Sequence, residues 1–371
     1  MHTHDAIVIG GGPAGSVAAI ALASRGWRVT LLDRGARGRS KCCGHCLHPR
    51  AFELLEPLGC AESVRRVCGG STRRGEVWVV DNLSVRQVAD EPFERGGVMV
   101  TREALDDALL DAARGHGVDV RQGVHARIER GLFRVHVADE VVDAPLVVGA
   151  DGLGSAVARH AGLASSVVGR KFGFAVDVAT TPDHPWRRDA IVMLVARGGY
   201  LGVVGTGSGV HLAACMSTNS ALPTRPRESI AWFVDRVPML RDALGDAWLD
   251  RLGVISAVGP MPWTTVQRTS EHVALVGDAA GYVEPFTGEG MTWAIATGAA
   301  LGASVTAPGV WNLSARARYE TAWTAIAQRD HFRCRAVALA VEHPRFISAL
   351  ERVGSLAPWL RHRVMHTLVP R

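Results

Sequence analysis

Three glycines near the N-terminus have the spacing of a phosphate-binding turn. Gly10, Gly12 and Gly15 follow the apolar run 6–9 and precede a helix-like stretch. In such a turn the first glycine permits a tight bend, the second lets backbone approach a pyrophosphate, and the third lets helix pack on strand. The free N–H groups at the start of the helix, around Ala14, favour negative charge. The sequence therefore predicts a site for a ligand that contains adenosine diphosphate.

An acidic residue closes the next strand-like run. Residues 28–32 have strand character and are followed by Asp33, 18 positions after Gly15. A carboxylate at this place accepts hydrogen bonds from ribose hydroxyls, and we assign the adjacent Arg34 to the same binding region. Strand, glycine turn, helix, strand and acid occur in the order of a Rossmann unit. This order is a stronger signal than the glycines alone, and it predicts an α/β fold with a dinucleotide-binding domain.

Cysteines and histidines crowd into residues 42–48. Cys43 and Cys46 have the C-x-x-C spacing that is typical of metal ligands, with His45 and His48 adjacent. A zinc site normally needs a second ligand pair farther along the chain, and the remaining cysteines and histidines offer no clean one. We therefore predict that this cluster does not bind a metal.

The composition is that of an ordinary globular protein, with 371 residues, of which 47% are hydrophobic and 21% charged. The net charge is +5, no run of five like charges occurs, and no series of aromatic residues alternates with the arginines. We therefore expect no nucleic-acid partner. Seven cysteines in so long a chain indicate reduced thiols and a cytoplasmic location. The uncharged stretch 6–23 is interrupted by glycines and follows Asp5, which argues against a membrane span or signal peptide.

Two further motifs follow strand-like runs. Residues 146–149 lead into Asp151-Gly152, and residues 271–276 lead into Gly277-Asp278 and then into Gly288-Glu289-Gly290-Met291. With the N-terminal motif, these elements occur in the order found in a known family. The chain resembles the FAD-dependent flavoprotein superfamily that contains p-hydroxybenzoate hydroxylase, the flavin-dependent halogenases and geranylgeranyl reductase.

The resemblance implies FAD as the cofactor and a glutathione-reductase-like Rossmann domain. It implies that Asp278 binds the ribityl chain and that the helix start at Gly288, Gly290 and Met291 lies against the flavin pyrimidine edge, where a helix N-terminus favours negative charge. It further implies positions near the diphosphate for Asp151 and for Arg102. Arg102 begins an amphipathic helix that Thr101 is suited to cap.

The same resemblance gives a domain layout. We expect a discontinuous FAD-binding domain at 1–170 and 270–310, an inserted, mostly antiparallel β-sheet domain on the substrate side at 171–269, and helices at 311–371. The glycine-rich run 205–209 has strand-like residues on both sides, so it predicts a hairpin turn rather than a second nucleotide site. NAD(P)H would then bind only transiently, as the reductant.

Residues 41–51 resemble the K-x-C-G-x-x-L-x-P-R-A segment of geranylgeranyl-reductase-like flavoproteins. This likeness implies that Cys43 lies beside flavin and substrate, with His45 and Tyr200 as further cavity candidates. The alternative is that Cys43 is simply a small buried residue. The C-terminal residues 359–363 could rest on a membrane surface, although a solvated tail is the simpler interpretation.

The resemblance leaves three flavin reactions open. The W-x-W-x-I-P segment of the halogenases is absent, which disfavours halogenation. The aromatic lipid-cavity segment of geranylgeranyl reductases is also absent, because Tyr200 is followed by Leu201-Gly202. We therefore expect a monooxygenase acting on a lipophilic or aromatic biosynthetic intermediate, with a geranylgeranyl-reductase-like reductase of carbon–carbon double bonds as the alternative. A non-catalytic flavin-binding protein is the minor alternative, and the oligomeric state stays open.

Overall fold

The computed structural model describes residues 4–129, 134–138, 140–164, 169–180, 186, 189–261, 267–282, 286 and 288–342. For residue 94 and residues 329–342 only the backbone is described. Among the described residues, no helix combines the length and the apolar character that are needed to cross a membrane.

The described strands are β1 Ala6–Ile9, β2 Val29–Asp33, β3 Cys46–Leu47, β4 Ser71–Val80, β5 Val85–Met99, β6 Asp119–Gln122, β7 Ala126–Ile128, β8 Arg134–Val137, β9 Glu140–Asp143, β10 Leu146–Gly149, β11 Lys171–Ala179, β12 Ala190–Ala196, β13 Gly199–Gly205, β14 Gly209–Ser217, β15 Ser256–Val258 and β16 Val273–Leu275. The described α-helices are α1 Pro13–Ala23, α2 Arg50–Leu55, α3 Ala61–Arg65, α4 Arg102–Gly115, α5 Ala156–His160, α6 Pro226–Arg236, α7 Pro238–Leu244, α8 Gly290–Ser304 and α9 Leu313–Glu342.

A five-stranded parallel sheet lies at the centre of the first region, in the order β16-β10-β1-β2-β6. Every residue of β1, β2 and β10 is buried. Such complete burial is expected of parallel strands that are covered on both faces. The Rossmann-type fold predicted from the sequence is confirmed.

Helices α1 and α8 pack with their backbones in contact, although they are far apart in the sequence. A Cβ on Gly298 would lie 2.5 Å from the Ala14 carbonyl oxygen, and a Cβ on Gly302 would lie 2.3 Å from the Ala21 Cβ. Only glycine allows this approach. The contact joins the N-terminal glycine turn to the segment that follows Asp278.

An eight-stranded sheet forms the second region, in the order β15-β11-β14-β13-β12-β4-β5-β3. Its pairs are antiparallel except for β12 with β4. One face packs on α6 and α7 through a second apolar core that includes Phe174, Phe233 and Leu240. The predicted hairpin between β13 and β14 is confirmed, with the Thr206 N–H donating to the Gly209 carbonyl at 2.7 Å.

This sheet also takes β3, β4 and β5 from residues 46–99, which the sequence-based division had assigned to the FAD-binding domain. The reason is their composition: β4 and β5 carry charged residues among apolar ones, and such strands show no continuous apolar run. The domain division itself stays a prediction. A small antiparallel sheet, β7-β8-β9, lies apart from both larger sheets.

The predicted C-terminal helices begin with α9, which follows α8 and is described as far as Glu342. Helix α9 contacts α8, β12 and β13. The segment 359–363, for which a membrane contact was considered, lies outside the described residues.

Candidate functional site

A cavity of about 1010 Å³ lies between the parallel sheet and the eight-stranded sheet. The glycine turn after β1 and the start of α8 form one end of its wall, and strands β11 to β14 form the other. We call these parts the cofactor end and the substrate end. Of the cofactor-binding residues predicted from the sequence, all but Gly15 line this cavity. They are Gly10, Gly12, Ala14, Asp33, Arg34, Arg102, Asp151, Asp278, Gly288, Gly290 and Met291.

The three motif glycines serve two different purposes. A Cβ on Gly10 would lie 2.2 Å from the Ala150 carbonyl oxygen, and one on Gly15 would lie 1.9 Å from the Gly10 carbonyl oxygen. These two positions are therefore fixed by packing within the protein. A Cβ on Gly12 would meet only the Arg102 guanidinium at 3.6 Å and the Lys41 ammonium at 3.9 Å. The space at Gly12 is open to the cavity and faces two cations, as an anionic ligand requires.

Two helix N-termini open into the same cavity. Helix α1 begins after Gly12 and α8 begins after Glu289, and neither N-cap residue makes a side-chain capping bond. The first N–H groups of a helix have no partner within the helix and carry partial positive charge. Both helix starts are thus suited to bind negative groups of a ligand.

A carboxylate shared by two cations lies beside Gly12. The Asp106 carboxylate accepts hydrogen bonds from Lys41 at 2.6 Å and from Arg102 at 3.1 Å. Burial opposes the charge on Arg102, but the neighbouring Asp106 raises the pKa of the guanidinium overall. Two cations against one carboxylate leave net positive charge where a diphosphate would lie. The sequence analysis missed the pairing role of Asp106, for which its i+4 spacing from Arg102 was the available signal.

The acidic residues at the cofactor end differ in their partners. The Asp33 side chain lines the cavity and accepts a bond from the Gly35 N–H at 3.1 Å. The Asp278 side chain is open to the cavity, and no hydrogen bond to its carboxylate is found among the described residues. Burial raises the pKa of Asp278, and the charge of Arg102 opposes that shift. An acid without a protein partner at this place is available to the hydroxyl groups of a ligand.

The Asp151 carboxylate has partners within the protein. It accepts hydrogen bonds from the Ser155 hydroxyl, from the Ala156 N–H at 2.7 Å and from the Val157 N–H at 3.2 Å. These contacts hold the start of α5. The predicted role of Asp151 at a diphosphate stays a prediction, and its carboxylate serves the helix in this structure.

The substrate end is apolar and has an aromatic wall. Tyr200 meets Phe286 edge to face, with ring centroids 5.0 Å apart. Three adjacent strands present small residues to the cavity, namely Gly173, Gly202 and Ala213. Small residues on one sheet face leave a shallow bay into which a flat molecule can pack.

The predicted cavity residue Cys43 lies between the two ends. Its thiol is 3.7 Å from the Met291 sulfur at the start of α8. Burial raises the pKa of Cys43 despite the nearby charge of Arg102, so the thiol is protonated at neutral pH. Burial likewise raises the pKa of Cys42 to about 12. Neither thiol is activated as a nucleophile.

His45 lies behind the cavity wall rather than in it. It is 6% exposed, has a left-handed backbone with φ of 58°, and stacks on His211 with ring centroids 3.7 Å apart. Its position therefore differs from the cavity placement expected from the sequence. His211 itself lines the cavity, and the sequence analysis missed it because one histidine in a strand-like run carries no distinguishing signal.

Three side chains near Cys43, those of His45, Asp177 and His211, bring ligand-type atoms within 4.8 Å of one another. Both nitrogens of His211 are already engaged, one by Asp177 at 2.9 Å and the other by the Cys43 carbonyl at 2.7 Å. A metal ion would have to break at least one of these bonds. The arrangement therefore favours hydrogen bonding over metal coordination.

The cofactor end fits an extended dinucleotide. It offers a glycine turn open at Gly12, a ribose-binding acid at Asp33, two helix N-termini, and the unpartnered Asp278 carboxylate toward the substrate end. The flavin ring of FAD would lie near Asp278, Met291 and Cys43. Fold and site together define the class of FAD-dependent oxidoreductases.

Comparison with known proteins identifies the family. Residues 3–308 match the model of the "FAD binding domain" family, and the chain belongs to that family. The resemblance to the FAD-dependent flavoprotein superfamily drawn from the motifs is thereby confirmed.

Sequence relatives include the geranylgeranyl diphosphate reductase of Rhodobacter capsulatus, which is 31% identical over 313 residues covering 80% of this chain and 73% of the relative. The menaquinone reductase of Mycolicibacterium smegmatis is 26% identical over 404 residues, covering 98% and 92%. Among solved structures, the tetrameric form of 2-methyl-3-hydroxypyridine-5-carboxylic acid oxygenase has a TM-score of 0.73 at 24% identity, covering 91% of this chain and 92% of the other. That likeness shows the shared fold.

Proposed function

We propose that this FAD-dependent oxidoreductase is a monooxygenase that hydroxylates a lipophilic or aromatic biosynthetic intermediate. When bound and reduced, FAD supplies the reaction with molecular oxygen. The chain's contribution is to bind the substrate against the flavin, to exclude water and to fix the orientation. The observation that carries the proposal is the apolar, aromatic-walled substrate end formed around Tyr200, Met261 and Phe286.

The state of Cys43 supports hydroxylation over reduction of a double bond. Reduction of a double bond requires a proton donor at the substrate, and a thiol with a raised pKa releases its proton reluctantly. Hydroxylation places no such demand on a dedicated acid, but it does require a dry cavity. Tyr200, Phe286 and Met261 close the substrate end with apolar surface, which meets that demand.

The substrate end also indicates the charge of the substrate. Of the described cationic groups there, Arg95 is paired with Glu53 and His211 is paired with Asp177. A substrate carboxylate or phosphate buried against Tyr200 would find no unpaired cation in that part of the described wall, and burying an unpaired charge is costly. We therefore propose an uncharged, planar substrate.

NAD(P)H is the proposed reductant, bound transiently. Support comes from the sequence, which contains one dinucleotide-binding glycine turn, while the second glycine-rich run forms a hairpin. A cytoplasmic location is proposed as well. The six described cysteines are all free thiols, as a reducing compartment requires.

The experiment compares two probes that share one ring system, 1-naphthol and 1-naphthoate. The FAD-loaded protein is titrated with each, and the change in the visible flavin absorption band is followed. We expect saturable perturbation by 1-naphthol and at least tenfold weaker perturbation by 1-naphthoate. Equal or tighter binding of the carboxylate would contradict an uncharged substrate, without bearing on the reaction type.

Oxygen consumption then tests the reaction. With NADPH or NADH and a bound neutral probe, we expect oxygen uptake that is coupled to a hydroxylated product. Incorporation of ¹⁸O from labelled oxygen gas, followed by mass spectrometry, distinguishes this outcome from uncoupled peroxide release. Product formed in the strict absence of oxygen would contradict the monooxygenase.

Reduction of carbon–carbon double bonds is the second candidate. The two sequence relatives named above are both reductases by name. Cys43 also lies within residues 41–51, which resemble a segment of geranylgeranyl-reductase-like flavoproteins. The same anaerobic assay separates the two candidates, because a reductase forms saturated product from chemically reduced FAD without oxygen.

A further inference from the structure

The loop that carries Cys43 is bound to the substrate sheet through one buried histidine. His211 on β14 is 2% exposed and bonds the backbone carbonyl of Cys43 through Nε2 at 2.7 Å. Its Nδ1 bonds the Asp177 carboxylate on the neighbouring strand β11 at 2.9 Å. Asp177 and His211 are direct cross-strand partners, so the sheet register itself sets this pair.

These two contacts define the protonation state of the ring. A carbonyl oxygen and a carboxylate are both acceptors, so each ring nitrogen must donate, and only the imidazolium form has two N–H groups. A neutral ring would leave one nitrogen lone pair facing an acceptor. The geometry therefore describes a positively charged His211 held between Asp177 and Cys43.

The surroundings favour a single charge at this place. Burial and the adjacent His211 lower the pKa of His45 well below its usual value, so the stacked His45 ring is neutral. Burial raises the pKa of Asp177, but the hydrogen bond and charge of His211 outweigh it, and the carboxyl titrates below its usual range. On α4, Arg102 and Asp106 face the loop, and Lys41, Cys42 and Cys43 are titratable groups of the loop itself.

We propose that His211 is a positioning residue, which Asp177 orients and which fixes the Cys43 loop so that Cys43 and Met291 form the wall between flavin and substrate. The inference holds for either reaction type and depends on FAD binding alone. The loop has further anchors, among them the bond from the Val100 N–H to the His45 carbonyl at 2.8 Å, the Lys41–Asp106 pair at 2.6 Å and the contact between the Ser40 and Ser256 hydroxyls at 2.9 Å.

The proposal makes the two hydrogen bonds of His211 necessary for tight binding of a neutral probe such as 1-naphthol. Without them the Cys43 loop loses its contact with β14, so affinity for the probe should fall while the protein keeps its FAD.

Three variants test this. In Asp177→Asn, the amide can donate to Nδ1 while Nε2–H donates to the Cys43 carbonyl, so a neutral His211 satisfies both contacts. This variant should bind 1-naphthol about as tightly as wild type at about pH 7, where the naphthol hydroxyl is un-ionised. In His211→Phe both bonds are lost, and we expect about tenfold weaker binding. Asp119→Asn is the matched control, since Asp119 pairs with Arg121 on the other sheet.

The readouts are the flavin absorption change on probe binding and the ¹⁵N spectrum of histidine-labelled protein. We expect two protonated ring nitrogens for His211 in the wild type, signals that are absent in His211→Phe. Affinity for 1-naphthol in His211→Phe that equals that of wild type, or a loss of affinity in Asp177→Asn as large as in His211→Phe, would overturn the proposal. Stoichiometric binding of Zn²⁺ that His211→Phe abolishes would also overturn it, by making the cluster a metal site.

Discussion

The two ends of the cavity differ in the chemical groups that form their walls. The cofactor end depends on close backbone packing as well as on charged side chains: Gly10 and Gly15 lie against backbone carbonyls, and helix N-termini supply N–H groups. At the substrate end the contacts come from side chains on one face of a sheet, such as Tyr200 and Ala213. Backbone contacts tolerate almost no added atom, whereas side chains on a sheet face can be exchanged one at a time.

The distances quantify this contrast. An added Cβ would meet backbone at 1.9 Å from Gly15, whereas from Gly202 it would lie 3.2 Å from the Met193 sulfur and 3.4 Å from the Ala213 carbonyl oxygen. We therefore expect the cofactor end to tolerate few substitutions. At the substrate end, substitutions can change specificity without loss of the fold.

The largest effect is expected for Gly15→Ala, which tests the rigid end. The new methyl group overlaps the Gly10 carbonyl, so the free energy of unfolding should fall by about 3 kcal/mol or more. Urea unfolding of the FAD-free protein measures this loss. Gly12→Ala is the matched control, and similar destabilisation of both variants would contradict the division of roles between these glycines.

Gly12→Val comes next and separates cofactor binding from folding. Because the space at Gly12 is open, the FAD-free variant should unfold near the wild-type denaturant concentration. Its branched side chain occupies the place of the diphosphate, so the Kd for FAD should rise at least tenfold, about 1.4 kcal/mol. Fluorescence titration with FAD measures the affinity. An unchanged Kd would show that the diphosphate does not approach this backbone.

Asp278→Asn tests the unpartnered acid at the junction of the two ends. A hydrogen bond to a charged group contributes about 1.5–3 kcal/mol, so FAD affinity should fall about tenfold. Stability of the FAD-free protein should be equal to or greater than that of wild type, because burial raises the pKa of this carboxyl and thus disfavours its charge. Full retention of FAD through purification and dialysis would count against the assignment.

The smallest effect on FAD binding is expected for Gly202→Ala, which tests the permissive end. The methyl group can displace the Met193 side chain, so the free energy of unfolding should change by about 1 kcal/mol or less. FAD affinity should be unaffected, while binding of 1-naphthol should weaken because the bay becomes shallower. If FAD binding falls together with probe binding, the two ends are not independent.

The same contrast explains what the sequence could predict. The sequence could predict the glycine turn, Asp33 and the Gly-Asp motif at Asp278. A dinucleotide site of this kind requires fixed residue types at fixed spacing. The hairpin at 205–209 was found for a similar reason, since strand pattern and turn glycines are local signals.

The rest depends on long-range register. Strands β4 and β5 join the substrate sheet although their own pattern does not indicate it, and His211 becomes significant only because β11 places Asp177 beside it. Asp106 acquires its second partner, Lys41, from a loop far away in the chain. Such pairings arise from tertiary contacts that no local pattern encodes.

The backbone contact between α1 and α8 has a consequence for how the chain is made. During synthesis α1 leaves the ribosome early, yet the surface that Gly298 and Gly302 cover is completed only when α8 has emerged. The central strand β1 must likewise wait for β10. The nascent N-terminal half therefore exposes apolar surface for much of translation, and we expect it to depend on molecular chaperones until the late helix arrives.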